Sequence, residues 1–207
     1  NGMPQFQSYT KKELKFVAYI TPNKKTILRT EGAQLPFTEE ENMQGQEFLQ
    51  ELGLQKGDKF ICLIVRDASY KENFQKGISI DWSHYNFRDS DIDTYNQAAL
   101  VLAEKGYWVF RLGKGNHKPF SAEHPKIFDY ANSYHSNDFL DLWLTANCHF
   151  MISSGTGLDT VAFVYRRPTV FVNFITLGAF NSQWNVLIAP KHLLWKNNGS
   201  MLTAKEY

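Results

Sequence analysis

The residues best suited to chemistry lie in Ile152-Ser153-Ser154-Gly155-Thr156-Gly157, an apolar approach followed by hydroxyls and glycines. Glycines let a backbone come close to a phosphate, and hydroxyls and amide N–H groups donate to its oxygens. A helix starting just beyond would add the positive end of its dipole. The stretch is neither the lysine-bearing phosphate loop nor the full dinucleotide fingerprint. No serine stands between the two glycines, so it is not the elbow that presents a nucleophilic serine. A ligand-free strand–helix turn uses the same residue types, and both readings stay open.

Arg66 is the second candidate, because a guanidinium at a strand end can grip a phosphate bidentately. Asp67 follows it and could hold it, or the two could form a surface ion pair. A third group is Arg111, Gly113, Asp129 and Tyr130. Tyr130 could stack on a base or sugar and Asp129 accept from hydroxyls; equally, Arg111 could pair with Asp129 and Tyr130 fill the core. His84, Tyr85, Arg88, Asp89 and Asp91 cluster in sequence, and a His–carboxylate pair can serve as a general base. Asp67, His84 and Asp91 are the acid–base candidates, against ordinary loop polarity. Asp138 and Asp141 fall in the first turns of an expected helix, whose dipole explains Asp138 without any function.

The elements that must position these residues follow from the hydropathy pattern. Phe60 to Val65 is a continuous apolar run, as in a strand buried on both faces. Tyr107–Leu112, Ile127–Ala131, His149–Ser153 and Thr169–Asn173 are the other expected strands. Thr38-Glu39-Glu40-Glu41 is a capping box that opens a helix, closed by Gly53 and Gly57. Ser90 and Ser136 are the expected caps of two more helices. A fourth follows Gly157 and stops at Pro168. Strands alternating with helices specify an α/β, Rossmann-like three-layer domain with a mostly parallel sheet and helices on both faces. Ligands of such sheets bind at the carboxyl ends of the strands, where Arg66, Arg111 and the 153–157 turn all fall. The expected organisation is an N-terminal extension over 1–35, with a hairpin from Phe16–Ile20 and Thr26–Arg29, and one domain over 36–207.

Composition narrows the classes. The 207 residues carry 22 Lys plus Arg against 21 Asp plus Glu, a balance unlike a polybasic nucleic-acid binder. No apolar run approaches the roughly 18–20 residues of a membrane span, and no signal peptide opens the chain. Cys62 and Cys148 lack a second Cys or His at ligand spacing, so no metal is expected. The expected location is cytoplasmic, peripheral to the inner membrane if membrane-associated at all.

An ordered set of short stretches carries a resemblance. It comprises Gly57-Asp58-Lys59-Phe60, Val65-Arg66-Asp67, Arg88-Asp89-Ser90-Asp91 through Tyr95, and Gly106-Tyr107-Trp108 through Gly113. It continues with Asp129-Tyr130-Ala131, Ser136-Asn137-Asp138 through Asp141, Cys148-His149-Phe150, Ser153 through Leu158, and Ile188-Ala189-Pro190-Lys191. Over about residues 36–207 the chain resembles a family of bacterial glycosyltransferases. That family is similar to the GT-B enzymes, most of all the α1,6- and protein O-fucosyltransferases. The resemblance implies the donor-binding, C-terminal type of GT-B domain and transfer of a hexosyl or fucosyl group from a nucleotide-diphosphate sugar, a GDP-sugar, to a glycan acceptor. It implies that Arg66 with Ser153, Ser154, Gly155 and Thr156 binds the diphosphate, and that no cofactor is required, since Arg and backbone N–H groups can stabilise the leaving diphosphate. It also implies either a reduced fold or a partner that completes the site, a missing N-terminal domain or another copy. Departures are Ile64 where the family has His, a variant order in the Ser-Ser-Gly-Thr-Gly turn, and room for one Rossmann-like domain only. The rivals are a non-catalytic nucleotide-binding or interaction module of the same fold, and an unrelated Rossmann-like domain that binds phosphate but no sugar.

Overall fold

The computed structural model describes residues 5–6, 35–67, 83–114, 118–175, 185–203 and 205–206. From the N-terminus, β1 (Gln5–Phe6) is followed by α1 (Glu39–Glu51), β2 (Phe60–Ile64), α2 (Asn96–Glu104), β3 (Trp108–Leu112) and β4 (Ile127–Phe128). Then come α3 (Asp138–Asn147), β5 (Met151–Ser153), α4 (Asp159–Val164), β6 (Thr169–Phe174), β7 (Val186–Pro190) and β8 (Leu193–Leu194). Six strands form one parallel sheet in the order β4-β3-β2-β5-β6-β7. Counted within that sheet the order is 3-2-1-4-5-6, that of doubly wound dinucleotide-binding sheets. Strands β1 and β8 pair antiparallel in a separate ribbon.

The apolar run at β2 is explained by burial on both sides. Phe60, Cys62 and Ile64 pack with Phe48 of α1, Trp143 and Leu144 of α3 and Ala162 of α4. Ile61, Leu63 and Val65 pack with Ile92, Tyr95 and Ala99 on the α2 side. The result is the three-layer α/β architecture expected from the alternation of elements. Both cysteines are buried free thiols. Burial pushes the Cys62 thiol well up, which keeps it protonated and unreactive.

Helix α1 begins at the capping box: the Glu41 amide donates to Thr38 Oγ1 at 3.2 Å, and the Thr38 amide to Glu41 Oε2 at 2.7 Å. Its Gly45 lies against the Trp143 ring, where a Cβ has no room, and Trp143 Nε1 donates to Asn42 Oδ1 at 3.2 Å. That contact holds α1 on α3.

Some boundaries differ from the sequence reading. The cap of α3 is Asn137, one residue after Ser136, and it accepts from the Leu140 amide at 2.9 Å. Asp91 rather than Ser90 supplies a side-chain cap, to a 3-10 turn over Ile92–Tyr95 that leads into α2. The strand at Ile127 ends at Phe128, because a 3-10 turn over Tyr130–Asn132 follows. Strands β7 and β8 extend the fold past Asn173, where the sequence reading stopped. The hairpin expected at Phe16–Ile20 and Thr26–Arg29 lies outside the described residues. No helix of the described residues is long and apolar enough to cross a membrane.

Candidate functional site at the switch point of the sheet

Strand order reverses between β2 and β5, and a crevice opens there at the carboxyl ends of the strands. Parallel register sets Ile64 beside Ser153, so the segments leaving both strands run together. The Ser154 amide donates to the Ile64 carbonyl at 3.2 Å, and the Arg66 amide to Ser154 Oγ at 2.8 Å. Above this seam lies a cavity of about 630 Å³, lined among others by Arg66, Asp67, Gly113, Lys114, Thr156 and Gly157.

The Arg66 guanidinium is about a fifth exposed, and its Nε donates to Asp89 Oδ1 at 3.2 Å. Its two terminal nitrogens make no hydrogen bond among the described residues and are available to the cavity. The carboxylate that holds Arg66 is therefore Asp89, which follows a 3-10 turn over Ser83–Arg88. The same segment is tied back by the Ser90 amide, which donates to the Arg66 carbonyl at 2.9 Å.

The turn after β5 sorts its hydroxyls. Ser153 is fully buried and its Oγ accepts from the Gly155 amide at 3.0 Å. Ser154 is buried with its Oγ on the Arg66 amide, so both serines brace the turn from inside. Gly155 sits at φ +96°, with the Phe174 ring against it and Arg88 Nη2 donating to its carbonyl at 3.4 Å. The Thr156 amide donates to Asp159 Oδ2 at 2.7 Å and its hydroxyl to Oδ1 at 3.3 Å. The turn thus already cradles an oxyanion, the Asp159 carboxylate. Next in line, the amides of Gly157 and Leu158 donate to no partner among the described residues, and both residues line the cavity. Helix α4 has six residues, so these amides matter more than its dipole.

The third candidate group divides. Gly113 lines the cavity. Arg111 is 1% exposed and its Nη1 donates to Asp129 Oδ1 at 3.0 Å. Asp129 also accepts from the Phe120 amide at 2.9 Å and Asn132 Nδ2 at 2.8 Å. Tyr130 is fully buried, with its hydroxyl accepting from the Asn137 amide at 2.9 Å and donating to the Asn137 carbonyl at 3.1 Å. Asp91 pairs with Lys118 at 2.6 Å on exposed surface. The backbone of His84 lies in the turn over Ser83–Arg88, and its side chain is outside the described residues.

Among the cavity residues not singled out from sequence for a ligand, Lys114, Asp138 and Asp141 carry charge. Lys114 pairs with Asp138 and stands 3.7 Å from Asp141. It stands two residues past β3, as Arg66 stands two residues past β2. Asp141 is buried one turn into α3, and burial pushes its carboxyl up to about 6 against the pull of Lys114. Burial likewise pushes Asp159 up to about 6, outweighing its bonds to Ser153 and Thr156. Among the described residues no group of three His, Cys, Asp or Glu could hold a metal.

These carboxyls set a pH dependence. Their folded pKa lies above the ordinary value of 3.8, so between about pH 4 and 6 the native state binds more protons than the unfolded chain. Their contribution therefore favours folding below about pH 4 and is lost as pH rises through 6. Two units correspond to about 3 kcal/mol per group. The expected result is that Asp141→Asn gains stability relative to wild type by roughly 2–3 kcal/mol between pH 4 and pH 7. Urea unfolding of both proteins at the two pH values checks it, and a pH-independent difference would refute it.

No family profile and no curated protein matches the sequence. Among solved structures, the fold is similar to that of E. coli ADP-heptose lipopolysaccharide heptosyltransferase II, with a TM-score of 0.52 and 16% identity. The match covers 75% of this chain and 44% of that one. The chain has a Rossmann-like fold. It spans less than half the length of that glycosyltransferase.

Proposed function

We propose that the chain is the donor-binding half of a GT-B glycosyltransferase, which holds the diphosphate of a nucleotide sugar for transfer to a glycan acceptor. The observation that carries this reading is that Arg66, Gly157 and Leu158 line one cavity at the switch point, with the Arg66 terminal nitrogens and the two amides donating to no partner among the described residues. That donor set suits two linked phosphates: a planar cation for one and backbone N–H groups for the other. The leaving group of a glycosyl transfer is this diphosphate, and the same donors stabilise its growing charge. Fold similarity to a heptosyltransferase supports the reading. Apolar Leu142 and Leu158 on the cavity wall offer a surface for a base or sugar face. The resemblance seen in the sequence favours a GDP-sugar; the solved neighbour is an ADP-heptose heptosyltransferase, so adenine donors belong in the same test.

A second reading, a binding module without catalysis, is favoured by one observation. Asp159 occupies the Thr156 amide, and its charge opposes an incoming phosphate unless it is protonated or displaced.

The test is a thermal-shift screen of the chain against GDP, UDP, ADP and their sugar conjugates, repeated with Arg66→Ala. A ligand at 100 times its Kd raises native stability by about 2.7 kcal/mol. The expected result is a shift with one nucleotide family that Arg66→Ala removes. No shift at millimolar levels would overturn donor binding by this chain. A shift with free nucleotides that sugar conjugates do not match would favour the non-catalytic module.

A further inference from the structure

We propose that Lys191, on the far side of the sheet from β3, is a positioning residue for Arg66, acting through Asp89. Strand β7 is an edge strand, two strands removed from β5, and a lysine just past its end would ordinarily reach into water. Lys191 is instead 9% exposed. A bulge places it there. The β6–β7 register shifts between Val172 and Phe174, with Asn173 at φ +56°, and Phe174 then pairs with Pro190. The Lys191 amide donates to the Phe174 carbonyl at 3.0 Å, which turns the side chain inward over the carboxyl ends of the strands. Bulges that re-aim a side chain are common beside functional sites.

The ammonium closes the exit of the Ser83–Arg88 turn. Nζ donates to the Phe87 carbonyl at 3.0 Å and the Asp89 carbonyl at 2.7 Å. Those carbonyls flank Arg88, whose Nη2 reaches the Gly155 carbonyl. The Asp89 side chain then meets Arg66 Nε, and Ser90 donates back to the Arg66 carbonyl. Lys191 thereby ties down the segment that orients Arg66 and touches the phosphate-type turn. Lys191 does not line the cavity and would not meet the ligand. Burial lowers the basicity of its ammonium while Asp89 raises it, as for a charge held inside by its partners.

The role rests on the diphosphate reading for its ligand arm, so the test has a second arm without ligand. Calorimetry would give the Kd of inorganic pyrophosphate and of GDP for wild type, Lys191→Met, Lys191→Arg, Arg66→Ala and the Lys191→Met/Arg66→Ala double variant. Lys191→Met should weaken binding about tenfold and Arg66→Ala about 100-fold, with the double variant no weaker than Arg66→Ala alone, because both act through one guanidinium. Lys191→Arg, which keeps the cation, should recover most of the loss. Losses that multiply in the double variant, or a Lys191→Met Kd within twofold of wild type, would overturn the proposal.

If wild type binds neither probe, the ligand-free arm decides the positioning role; the donor reading itself fails only if the nucleotide screen above is also blank. In the 15N spectrum of the free chain, the Arg66 Nε–H signal, assigned by its loss in Arg66→Ala, should be slowly exchanging in wild type. It should exchange fast in both Lys191→Met and Asp89→Asn. An Arg66 signal that stays protected in Lys191→Met would overturn the proposal. A Lys191→Met chain too unstable to study leaves the same comparison to Lys191→Arg, whose Arg66 signal should stay protected, while Lys191→Gln should lose it.

Discussion

Replacing Arg111 by alanine is expected to lower the unfolding free energy by about 3–5 kcal/mol, among the largest effects a single change can have in this chain. Arg111 lies within β3 beside Leu63 and is 1% exposed, so its whole side-chain volume sits inside the sheet layer. Truncation to Ala opens a cavity and strands Asp129 without its cation. Asp129 is about a fifth exposed and keeps the Phe120 amide and Asn132 as donors, which limits the penalty on the acid itself. Two further variants separate volume from charge. Arg111→Met keeps most of the stem and should cost roughly half as much. Combining it with Asp129→Asn removes the uncompensated charge and should return stability to within about 1 kcal/mol of wild type, as buried pairs often do when replaced together. The Arg111 Nε, buried with no partner among the described residues, adds to the case that the charge is not optimal there. Urea unfolding measures all three. An Arg111→Ala protein within 1 kcal/mol of wild type that loses nucleotide affinity would show instead that Arg111 serves the ligand.

Arg111 also marks how far the sequence could be read. Its place in an otherwise apolar strand announces burial, and the open choice between ion pair and ligand residue depends on where Asp129 ends. The sheet itself was legible because burial on both faces writes β2 as an unbroken apolar run and β3 as one interrupted only by Arg111. Arg66 and the 153–157 turn were both expected at carboxyl ends of strands; that these ends adjoin at the switch point comes from the strand order, which the sequence reading did not give. Val186–Pro190 was not read as a strand; it is one, and its terminal Pro190 is tolerated because β7 lies at the edge of the sheet. The partner of Arg66 was not legible. Asp67 is next in sequence, whereas Asp89 arrives through a 3-10 turn whose direction no periodicity encodes. Lys191 reaches the same segment from 102 positions away, by way of a bulge. Three hydroxyls in Ser153-Ser154-Gly155-Thr156 look alike on paper. The backbone of the turn decides that the serines face inward and Thr156 faces the cavity wall.

The same turn contains the sharpest contrast available to mutation. Gly155 and Gly157 are equivalent in sequence and unlike in structure. Gly155 has φ +96°, a conformation that costs an L-residue about 1–3 kcal/mol, and a Cβ there would stand 3.2 Å from two carbons of the Phe174 ring. Phe174 is buried on Phe171 at a ring separation of 4.8 Å, so the ring has little freedom to yield. Gly155→Val is therefore expected to destabilise the chain by about 2–4 kcal/mol, summing backbone strain and overpacking. It should also displace the Gly157 and Leu158 amides from their aim. Misplacement by about 1 Å can cost on the order of 100-fold in a preorganised site, and that is the loss expected in pyrophosphate affinity. Gly157 has no positive φ, and a Cβ there meets nothing within 4 Å. Gly157→Ala should leave stability within about 0.5 kcal/mol of wild type. Its methyl group would stand in open space beside the cavity, so any loss of ligand affinity in that variant reads out contact with the ligand itself. Melting curves and pyrophosphate titrations on the two variants test both halves. Equal stability losses at the two glycines would refute the turn geometry, and a Gly155→Val chain that binds pyrophosphate as wild type does would remove the turn from the binding site.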